Sequence, residues 1–168
     1  VNISTIQLKH SDIFETVKKN LEITKLDPKF LELEITETFI MENIEESTFI
    51  LNNLKNLGIQ LSIDDFGTGF SSLSYLNRFP IDSIKLDISF IADLKTGSSE
   101  EVVCGHLVQM AHELGITVIA EGVETVEQQN ILITLGCDYA QGYLYAPPLN
   151  AEAFELLLLE TNSSKNLN

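Results

Sequence analysis

The sequence is poor in basic residues, and arginine is almost absent. Ten lysines and arginines stand against 25 aspartates and glutamates in 168 residues, which gives a formal net charge of -15. Proteins that bind DNA or RNA polymers present a basic face, so this balance excludes general nucleic-acid binding. The only arginine is Arg78, which leaves almost no scope for bidentate arginine contacts with phosphate.

Long apolar runs and paired cysteines are also missing. No apolar stretch approaches the roughly 18 residues of a membrane span, so we expect no membrane insertion by this chain. Val1 is followed by no basic-then-apolar leader, and no signal peptide is visible. Cys104 and Cys137 lie outside any CxxC pair, which favours buried free thiols over a disulfide or a metal site. These features predict a cytoplasmic protein.

The remaining residues alternate strand patterns with helix patterns. Two-residue alternation predicts strands at Phe30–Ile35, Ile59–Asp64, Ser83–Asp87, Ile116–Ala120 and, more briefly, Cys137–Ala140. Apolar spacing and capping residues predict helices after Ser11, from Asn43 to Gly58, over Ser71–Asn77, from Ser98 to Gly115, over Thr125–Leu135 and over Ala151–Leu159. This rhythm predicts an α/β fold of parallel strands joined by right-handed crossovers, and it leaves doubly wound and barrel folds open.

The composition and the lack of repeats or linkers predict one domain. Apolar residues make up 44% and charged residues 21% of the chain, which are proportions of a globular protein. We find no internal repeat and no low-complexity linker. The predicted organisation is a domain over residues 1–160 followed by a polar tail over residues 161–168.

Polar side chains fall at the carboxyl ends of four predicted strands. Because strand side chains alternate between faces, apolar residues such as Leu33 and Leu61 share one face and the acids occupy the other. Ligands bind at the carboxyl ends of strands in open α/β sheets and in barrels alike. We therefore expect one polar mouth, formed by Glu34, Asp64, Asp65, Lys85 and Glu121.

Four carboxylates beside one lysine repel one another strongly unless cations are present. Oxygen ligands suit hard divalent ions such as Mg²⁺, Mn²⁺ or Ca²⁺, and a pair of such ions supports in-line attack on a phosphoryl group. Asp64 and Asp65 can both reach metals only if the chain turns there, which Gly67 and Gly69 permit. Taken singly, each of these charges is also typical of a solvated surface, and Asp64-Asp65 before glycine of a plain turn.

Six segments of the sequence match one known family in order and in spacing. They are VNISTIQ at 1–7, LELEITET at 31–38, DDFGTGFSSLSYL at 64–76, DSIKLD at 82–87, IAEGVET at 119–125 and CDYAQGYLYAPP at 137–148. Together they resemble the EAL family of cyclic di-GMP phosphodiesterases. The resemblance implies a TIM-type α/β barrel that hydrolyses cyclic di-GMP to linear pGpG with two divalent ions, Mg²⁺ or Mn²⁺.

The resemblance also implies roles for individual residues. The implied metal ligands are Asn2, Glu34, Asp64, Asp65 and Glu121. Lys85 is implied to hold or activate the attacking water, and Gln141 to support that water or the substrate. Glu37 is implied to steady the loop over residues 65–72. The implied catalytic set is therefore Lys85, Glu121, Glu37 and Gln141, with Asp87 and Glu124 as supporting residues.

One departure from the family pattern concerns the Glu-Ala-Leu segment that names it. That segment supplies a metal ligand from the first strand, and it is absent from these 168 residues. Because Val1–Gln7 matches the end of the family's second strand, we expect an incomplete barrel lacking the first strand and helix. It should contain five strands, a stub at Val1–Ile3 and a short strand near Tyr143. Hydrolysis by this chain is expected to be weak or absent.

An incomplete barrel also bears on partners. Open sheet edges and an exposed apolar interior favour a homo-oligomer or a swapped dimer. Two other functions stay open: a non-catalytic module that binds cyclic di-GMP or a protein partner, and a metal-dependent barrel enzyme acting on a sugar or enolate. The DDFGTGFSS loop argues against the second. Sensor and GGDEF domains commonly neighbour this family, so upstream domains could anchor a parent protein to a membrane.

Overall fold

A five-stranded parallel sheet forms the centre of the structure, a computed structural model that describes residues 1–10, 12–68 and 73–165. The strands are β1 Glu32–Thr36, β2 Gln60–Phe66, β3 Ser83–Leu86, β4 Thr117–Ala120 and β5 Tyr139–Ala140. Their order in the sheet follows their order in the chain. Right-handed crossovers without a reversal put every connecting helix on one face. The sheet is therefore the open, barrel-type sheet and not the doubly wound alternative.

The described residues also form eight α-helices. They are α1 Thr5–His10, α2 Ile13–Thr24, α3 Glu37–Glu42, α4 Ile44–Lys55, α5 Ile88–Ile91, α6 Ser99–Glu113, α7 Val126–Leu135 and α8 Ala151–Lys165. Two 3-10 helices cover Pro28–Phe30 and Leu73–Arg78. As predicted, Asn43 and Ser98 cap α4 and α6 with their side chains. Among these helices, none combines the length and the apolar character that crossing a membrane requires.

Some element boundaries differ from the sequence-based expectation. The predicted cap Ser11 lies outside the described residues, and the side chain of Asp12 accepts from the amide of Glu15 at the start of α2. The helix predicted over Ser71–Asn77 is a 3-10 helix at Leu73–Arg78, with residues 71–72 outside the described part. Helix α8 continues to Lys165, so helical structure extends into the segment predicted to be a tail. The boundary at residue 160 stays a prediction.

The prediction of a short strand near Tyr143 is wrong. The amides of Tyr145 and Ala146 both donate to the carbonyl of Gly142, so this segment folds back on itself as a turn. At the other end of the chain, the expected stub at Val1–Ile3 amounts to a single parallel bridge between Asn2 and Glu34. Alternation along one segment does not reveal whether that segment pairs with a neighbouring strand, because pairing depends on which strand lies beside it.

The core lies between the sheet and its helices. The residues of the apolar strand face are at most 2% exposed: Leu33, Ile35, Leu61, Ile63, Ile84, Leu86, Val118 and Ala120. Helix residues such as Leu51, Leu54 and Val108 pack into the same cluster. Burying these side chains supplies the main stabilisation of the fold. It also fixes which face of each strand is left for polar groups.

The expectation of an exposed apolar interior is wrong for the described strands. The face away from the helices carries polar side chains, including Glu32, Glu34, Ser83, Lys85 and Thr117, on alternate positions of β1, β3 and β4. The apolar set is covered by helices because the crossovers all lie on that side. Any surface left open by the sheet is therefore predominantly polar.

Both cysteines are free, as predicted. Cys104 is fully buried and Cys137 is half-buried. Burial raises the pKa of each thiol to about 11, so both are neutral near pH 7 and behave as packing groups.

Candidate metal centre

Three carboxylates meet one lysine at the carboxyl end of the sheet. The Nζ of Lys85 lies 2.6 Å from Glu121 Oε1, and 3.1 Å from both Glu34 Oε2 and Asp64 Oδ1. The lysine side chain is 7% exposed, and those of the three acids are 15–21% exposed. These four residues come from β1, β2, β3 and the end of β4, so the strand parity read from the sequence brings them together.

A bulge in β2 accounts for the adjacent aspartates. In the pairing with β3, Ile63 faces Ile84 and Phe66 faces Leu86, so Asp64 and Asp65 together oppose Lys85 alone. An extra residue in one strand re-aims the side chains at the bulge. Asp65 itself adopts a positive φ of 55°, a conformation that aspartate tolerates better than most residues. The turn expected at the glycines therefore begins at Asp65; Gly69 lies outside the described residues.

The bulge produces a group of carboxylates suited to a cation. Asp64, Asp65 and Glu121 each offer one oxygen, and the three oxygens lie within 4.8 Å of one another. Hard divalent ions such as Mg²⁺, Mn²⁺ and Ca²⁺ prefer this all-oxygen donor set. The residues present therefore fit a divalent metal.

Two acids of the cluster have raised pKa values in spite of the nearby lysine. Burial raises the pKa of Glu121, the contact with Lys85 opposes this, and Asp64 and Glu34 add to the rise. Burial and the charge of Asp64 likewise raise the pKa of Asp65. For Lys85, burial lowers the pKa, but its contacts with Glu121, Glu34 and Asp64 outweigh burial and hold the pKa above its ordinary value. A cation bound beside Glu121 and Asp65 would favour their charged forms and so oppose both rises.

Gln141 follows β5 directly and fixes one of these acids. Its Nε2 donates to Glu121 Oε1 at 2.6 Å, so that oxygen is held by both Gln141 and Lys85. A side chain at Gly142 would run into the backbone of Val123, so glycine is needed for the chain to pass there. This close approach keeps Gln141 beside the end of β4.

Glu37 lies at the start of α3 and reaches the turn after β2. It is 4% exposed, and its Oε2 accepts from the backbone amide of Gly67 at 2.7 Å. The contact ties β1 and α3 to the first part of the loop over residues 65–72. Residues 69–72 lie outside the described part of the chain.

Asn2 is held beside Glu34 by backbone pairing. The two residues form a parallel bridge, and the amide of Ile3 donates to the carbonyl of Glu34 at 3.0 Å. Residues paired in register on neighbouring strands direct their side chains to the same face. Asn2 therefore belongs to the polar face at this edge of the mouth.

The two remaining predicted residues lie at the rim. Asp87 accepts from the amide of Ser89 at 2.9 Å and begins α5, and its charge is one of those that raise the pKa of Asp65. Glu124 lines a cavity of about 460 Å³ that adjoins Gln141. The ion-pair partners of Lys85 are instead Glu34, Asp64 and Glu121.

That cavity also contains residues that the sequence analysis missed. Its wall includes Ile88, Tyr143 and Pro147 in addition to Glu124 and Gln141. Ile88 is the first residue of α5, whereas Tyr143 and Pro147 belong to the segment between β5 and α8, so no regular spacing along the chain relates the three. The nearest signal was the CDYAQGYLYAPP segment, whose match to the family covered Tyr143 and Pro147.

Comparisons with known proteins agree with this geometry. A family profile described as EAL domain matches residues 1–148. The signaling protein YkoW of Bacillus subtilis is 44% identical over 97% of the chain, which corresponds to 20% of YkoW. The chain thus spans about a fifth of the length of the curated relatives it matches.

Solved structures show the same fold. The PaMucR phosphodiesterase in its c-di-GMP complex superposes with a TM-score of 0.88 at 40% identity, over 92% of this chain and 68% of that one. BlrP1 of Klebsiella pneumoniae, solved with c-di-GMP and calcium or manganese, gives a TM-score of 0.81 at 34% identity, over 88% of this chain and 38% of that one. With the fold, the acid cluster and the family profile in agreement, the chain belongs to the EAL domain family.

Proposed function

We propose that this domain hydrolyses cyclic di-GMP to linear pGpG, in the cytoplasm, where its two free cysteines stay reduced. The observation that carries the proposal is the set of three carboxylate oxygens, from Asp64, Asp65 and Glu121, within 4.8 Å of one another. Relatives of this domain have been solved with cyclic di-GMP, one of them with manganese or calcium. Both the donor chemistry and the relatives support a cation-dependent phosphodiesterase.

The cations are Mg²⁺ or Mn²⁺, two per site, held by Asn2, Glu34, Asp64, Asp65 and Glu121. When bound, such ions supply Lewis acidity that neutralises the phosphodiester charge and makes water a better nucleophile. The acidic domain needs that positive charge in order to accept an anionic dinucleotide. The raised pKa values of Glu121 and Asp65, which a nearby cation would oppose, support the same assignment.

Lys85 and Gln141 act on the reacting groups through positions fixed by the sheet. Glu121 Oε1 accepts from Gln141 Nε2 at 2.6 Å and lies 2.6 Å from Lys85 Nζ, so Oε2 would be the oxygen of Glu121 to hold a cation. With cations bound to the carboxylates, the ammonium group of Lys85 would be available to hold the attacking water and to offset phosphate charge. Gln141 keeps Glu121 oriented and supports the water or the substrate.

Three further residues support this site. Glu37 steadies the turn at Gly67 through its 2.7 Å hydrogen bond, and so holds the Asp65 bulge in place. Asp87 adds negative charge beside Asp65. Glu124 belongs to the cavity next to Gln141, whose apolar walls and single acid suit one base of the dinucleotide.

A second candidate is a module that binds cyclic di-GMP without hydrolysing it. The Glu-Ala-Leu segment, whose glutamate is a metal ligand in the family pattern, is absent from the 168 residues. Both functions require the nucleotide and the carboxylates, so they differ only in turnover. We expect turnover by this chain to be weak.

Incubating the chain with cyclic di-GMP and Mn²⁺, and separating the products by chromatography, tests the proposal. We expect slow formation of pGpG that stops on chelation and in Glu121→Gln, and that persists in the control Glu127→Gln on the exposed surface of α7. Calorimetric binding without any pGpG would favour the binding module. Absence of both binding and hydrolysis would overturn the phosphodiesterase and the module together.

We also propose that the chain associates with a second copy through the edge of β5 that has no partner strand in the described part of the chain. This strand is the last in the sheet and has two residues, of which Tyr139 is 66% exposed. Unpaired strand edges offer donors and acceptors to another chain. Light scattering is expected to give a dimer or a larger oligomer, and a monodisperse monomer would contradict this.

A further inference from the structure

The amino end of β2 is held by an ion pair that lies far from the mouth. Lys55, the last residue of α4, has its Nζ 2.6 Å from Asp82 Oδ1. Asp82 Oδ2 accepts from the backbone amide of Leu61 at 2.8 Å. Since Asp82 directly precedes β3, one carboxylate joins the end of a helix, the body of β2 and the start of β3.

The same arrangement recurs two strands later. His112 lies in the last turn of α6, and its Nε2 is 2.8 Å from Asp138 Oδ2. That oxygen accepts from the backbone amide of Val118 at 2.8 Å. Asp138 directly precedes β5, so it joins α6, β4 and β5 as Asp82 joins α4, β2 and β3.

The two arrangements have the same spacing along the chain. In each, the helix residue lies six positions before the residue whose amide donates to the aspartate, and a glycine with positive φ lies between them. These residues are Lys55, Gly58 and Leu61 in the first arrangement and His112, Gly115 and Val118 in the second. The strand register also agrees, since Ile63 pairs with Ile84 as Ala120 pairs with Ala140. The structure thus contains two equivalent units that the letters of the sequence did not show as a repeat.

The equivalence extends to the mouth. Three residues after Asp82 comes Lys85, whose Nζ contacts Asp64 at the end of β2 at 3.1 Å. Three residues after Asp138 comes Gln141, which donates to Glu121 at the end of β4. Asp64 lies six residues after Gly58, and Glu121 lies six residues after Gly115.

We call the aspartate contacts of each unit its clamp: Lys55, Asp82 and Leu61 in the first, His112, Asp138 and Val118 in the second. The second unit needs its clamp more than the first. Strand β5 has two residues and two ladder pairs, and its other side is unpaired in the described part of the chain. A slip of one residue would turn Gln141 to the other face of the sheet. The amide of Gln141 donates to the carbonyl of Ala120, and the amide of Val123 donates to the carbonyl of Gln141. These two hydrogen bonds hold the carboxyl end of β5. Asp138 supplies the corresponding hold at the amino end.

We propose that Asp138, held by His112 and by the backbone amide of Val118, is a positioning residue that sets Gln141 against Glu121. The pair is partly open to solvent, with 41% of the His112 side chain and 35% of the Asp138 side chain exposed. Polar contacts this exposed contribute little to overall stability. Their removal should therefore appear in the placement of Gln141 more than in the unfolding temperature.

The first unit suggests the variant that should preserve the clamp. Lysine stands at position 55 where the second unit has His112, so His112→Lys is expected to rebuild the contact with Asp138. His112→Ala removes it. Asp138→Asn removes the charge but keeps an oxygen that can accept from Val118. Lys55→Ala is the matched control, since it breaks the equivalent clamp of the other unit.

The readout is the side-chain amide of Gln141 in NMR spectra of the folded chain, assigned through its loss in Gln141→Glu. In His112→Ala we expect this signal to move towards that of a solvent-exposed glutamine, and in Asp138→Asn to move in the same direction. In His112→Lys and in Lys55→Ala it should stay near its wild-type position. An unchanged signal in His112→Ala, or a His112→Lys signal that matches His112→Ala, would overturn the proposal.

The role of Gln141 in this proposal rests on the proposed function. A second readout tells the failure of one from the failure of the other. Mn²⁺ affinity, measured by calorimetry, should fall about tenfold in His112→Ala and recover to within about twofold in His112→Lys. If the amide signal moves while Mn²⁺ affinity does not, Asp138 positions Gln141 but Gln141 does not serve a cation site. If neither changes while the unfolding temperature falls, the clamp is merely structural and the proposal fails.

Discussion

Replacing Lys85 with methionine is expected to lower the unfolding temperature of the metal-free chain by roughly 10 °C, and Mn²⁺ is expected to restore most of it. The Nζ of Lys85 is the cation nearest to three partly buried carboxylates, at 2.6–3.1 Å. Removing one partner of a buried ion pair costs about 3 kcal/mol, which for a domain of this size corresponds to that shift. Thermal unfolding followed by circular dichroism, with chelator and with Mn²⁺, measures both effects.

The same variant separates cation binding from chemistry. In Lys85→Met the ammonium group that competes with Mn²⁺ for the carboxylates is gone, so Mn²⁺ should stabilise this variant more than wild type. Formation of pGpG should nevertheless fall by at least about 100-fold, the usual contribution of a positioned proton-transfer group. The control Lys29→Met, at an exposed pair with Asp27, should change neither property. Equal stabilisation of Lys85→Met and wild type by Mn²⁺ would show that the lysine does not occupy the cation position.

The sheet and most of its polar mouth were predictable from local patterns. Alternation along β1 and β2 puts apolar and acidic residues on opposite faces whatever the rest of the chain does. Parallel strands then bring their carboxyl ends to one edge. For this reason Glu34, Lys85 and Glu121 were correctly expected to lie together, and the structure brings them within hydrogen-bonding distance.

What the sequence did not predict depends on pairing between strands. The bulge that turns Asp65 towards Asp64 appears only when two residues of β2 meet one residue of β3. The covering of the apolar face by helices likewise follows from the crossovers lying on one side of the sheet. The hydrogen bond from Gly67 to Glu37 joins residues 30 positions apart, and only the family resemblance suggested it.

The second large effect concerns Asp64. In wild type, Mn²⁺ is expected to tighten the binding of cyclic di-GMP by at least about tenfold, because the ions offset the charge of both the carboxylates and the phosphates. Asp64→Asn keeps the shape of the side chain but removes a ligand from the cluster with Asp65 and Glu121. We expect this variant to lose the Mn²⁺ effect and to bind Mn²⁺ at least about 100-fold more weakly.

Glu32→Gln provides a matched control on the same polar face. Glu32 lies on β1 two residues before Glu34, and its Oε1 accepts from Ser83 and not from Lys85. Its replacement also removes one negative charge, but one layer below the mouth. Mn²⁺ affinity should change by less than about threefold, and the coupling between Mn²⁺ and cyclic di-GMP should persist.

Calorimetric titration of the wild-type chain with cyclic di-GMP, first in chelator and then in Mn²⁺, tests the cation-dependent account most directly. The dissociation constant should be at least about tenfold lower in Mn²⁺, and by thermodynamic linkage the nucleotide should tighten Mn²⁺ binding by the same factor. An identical dissociation constant in chelator and in Mn²⁺ would contradict a site in which cations held by Asp64, Asp65 and Glu121 bind the nucleotide.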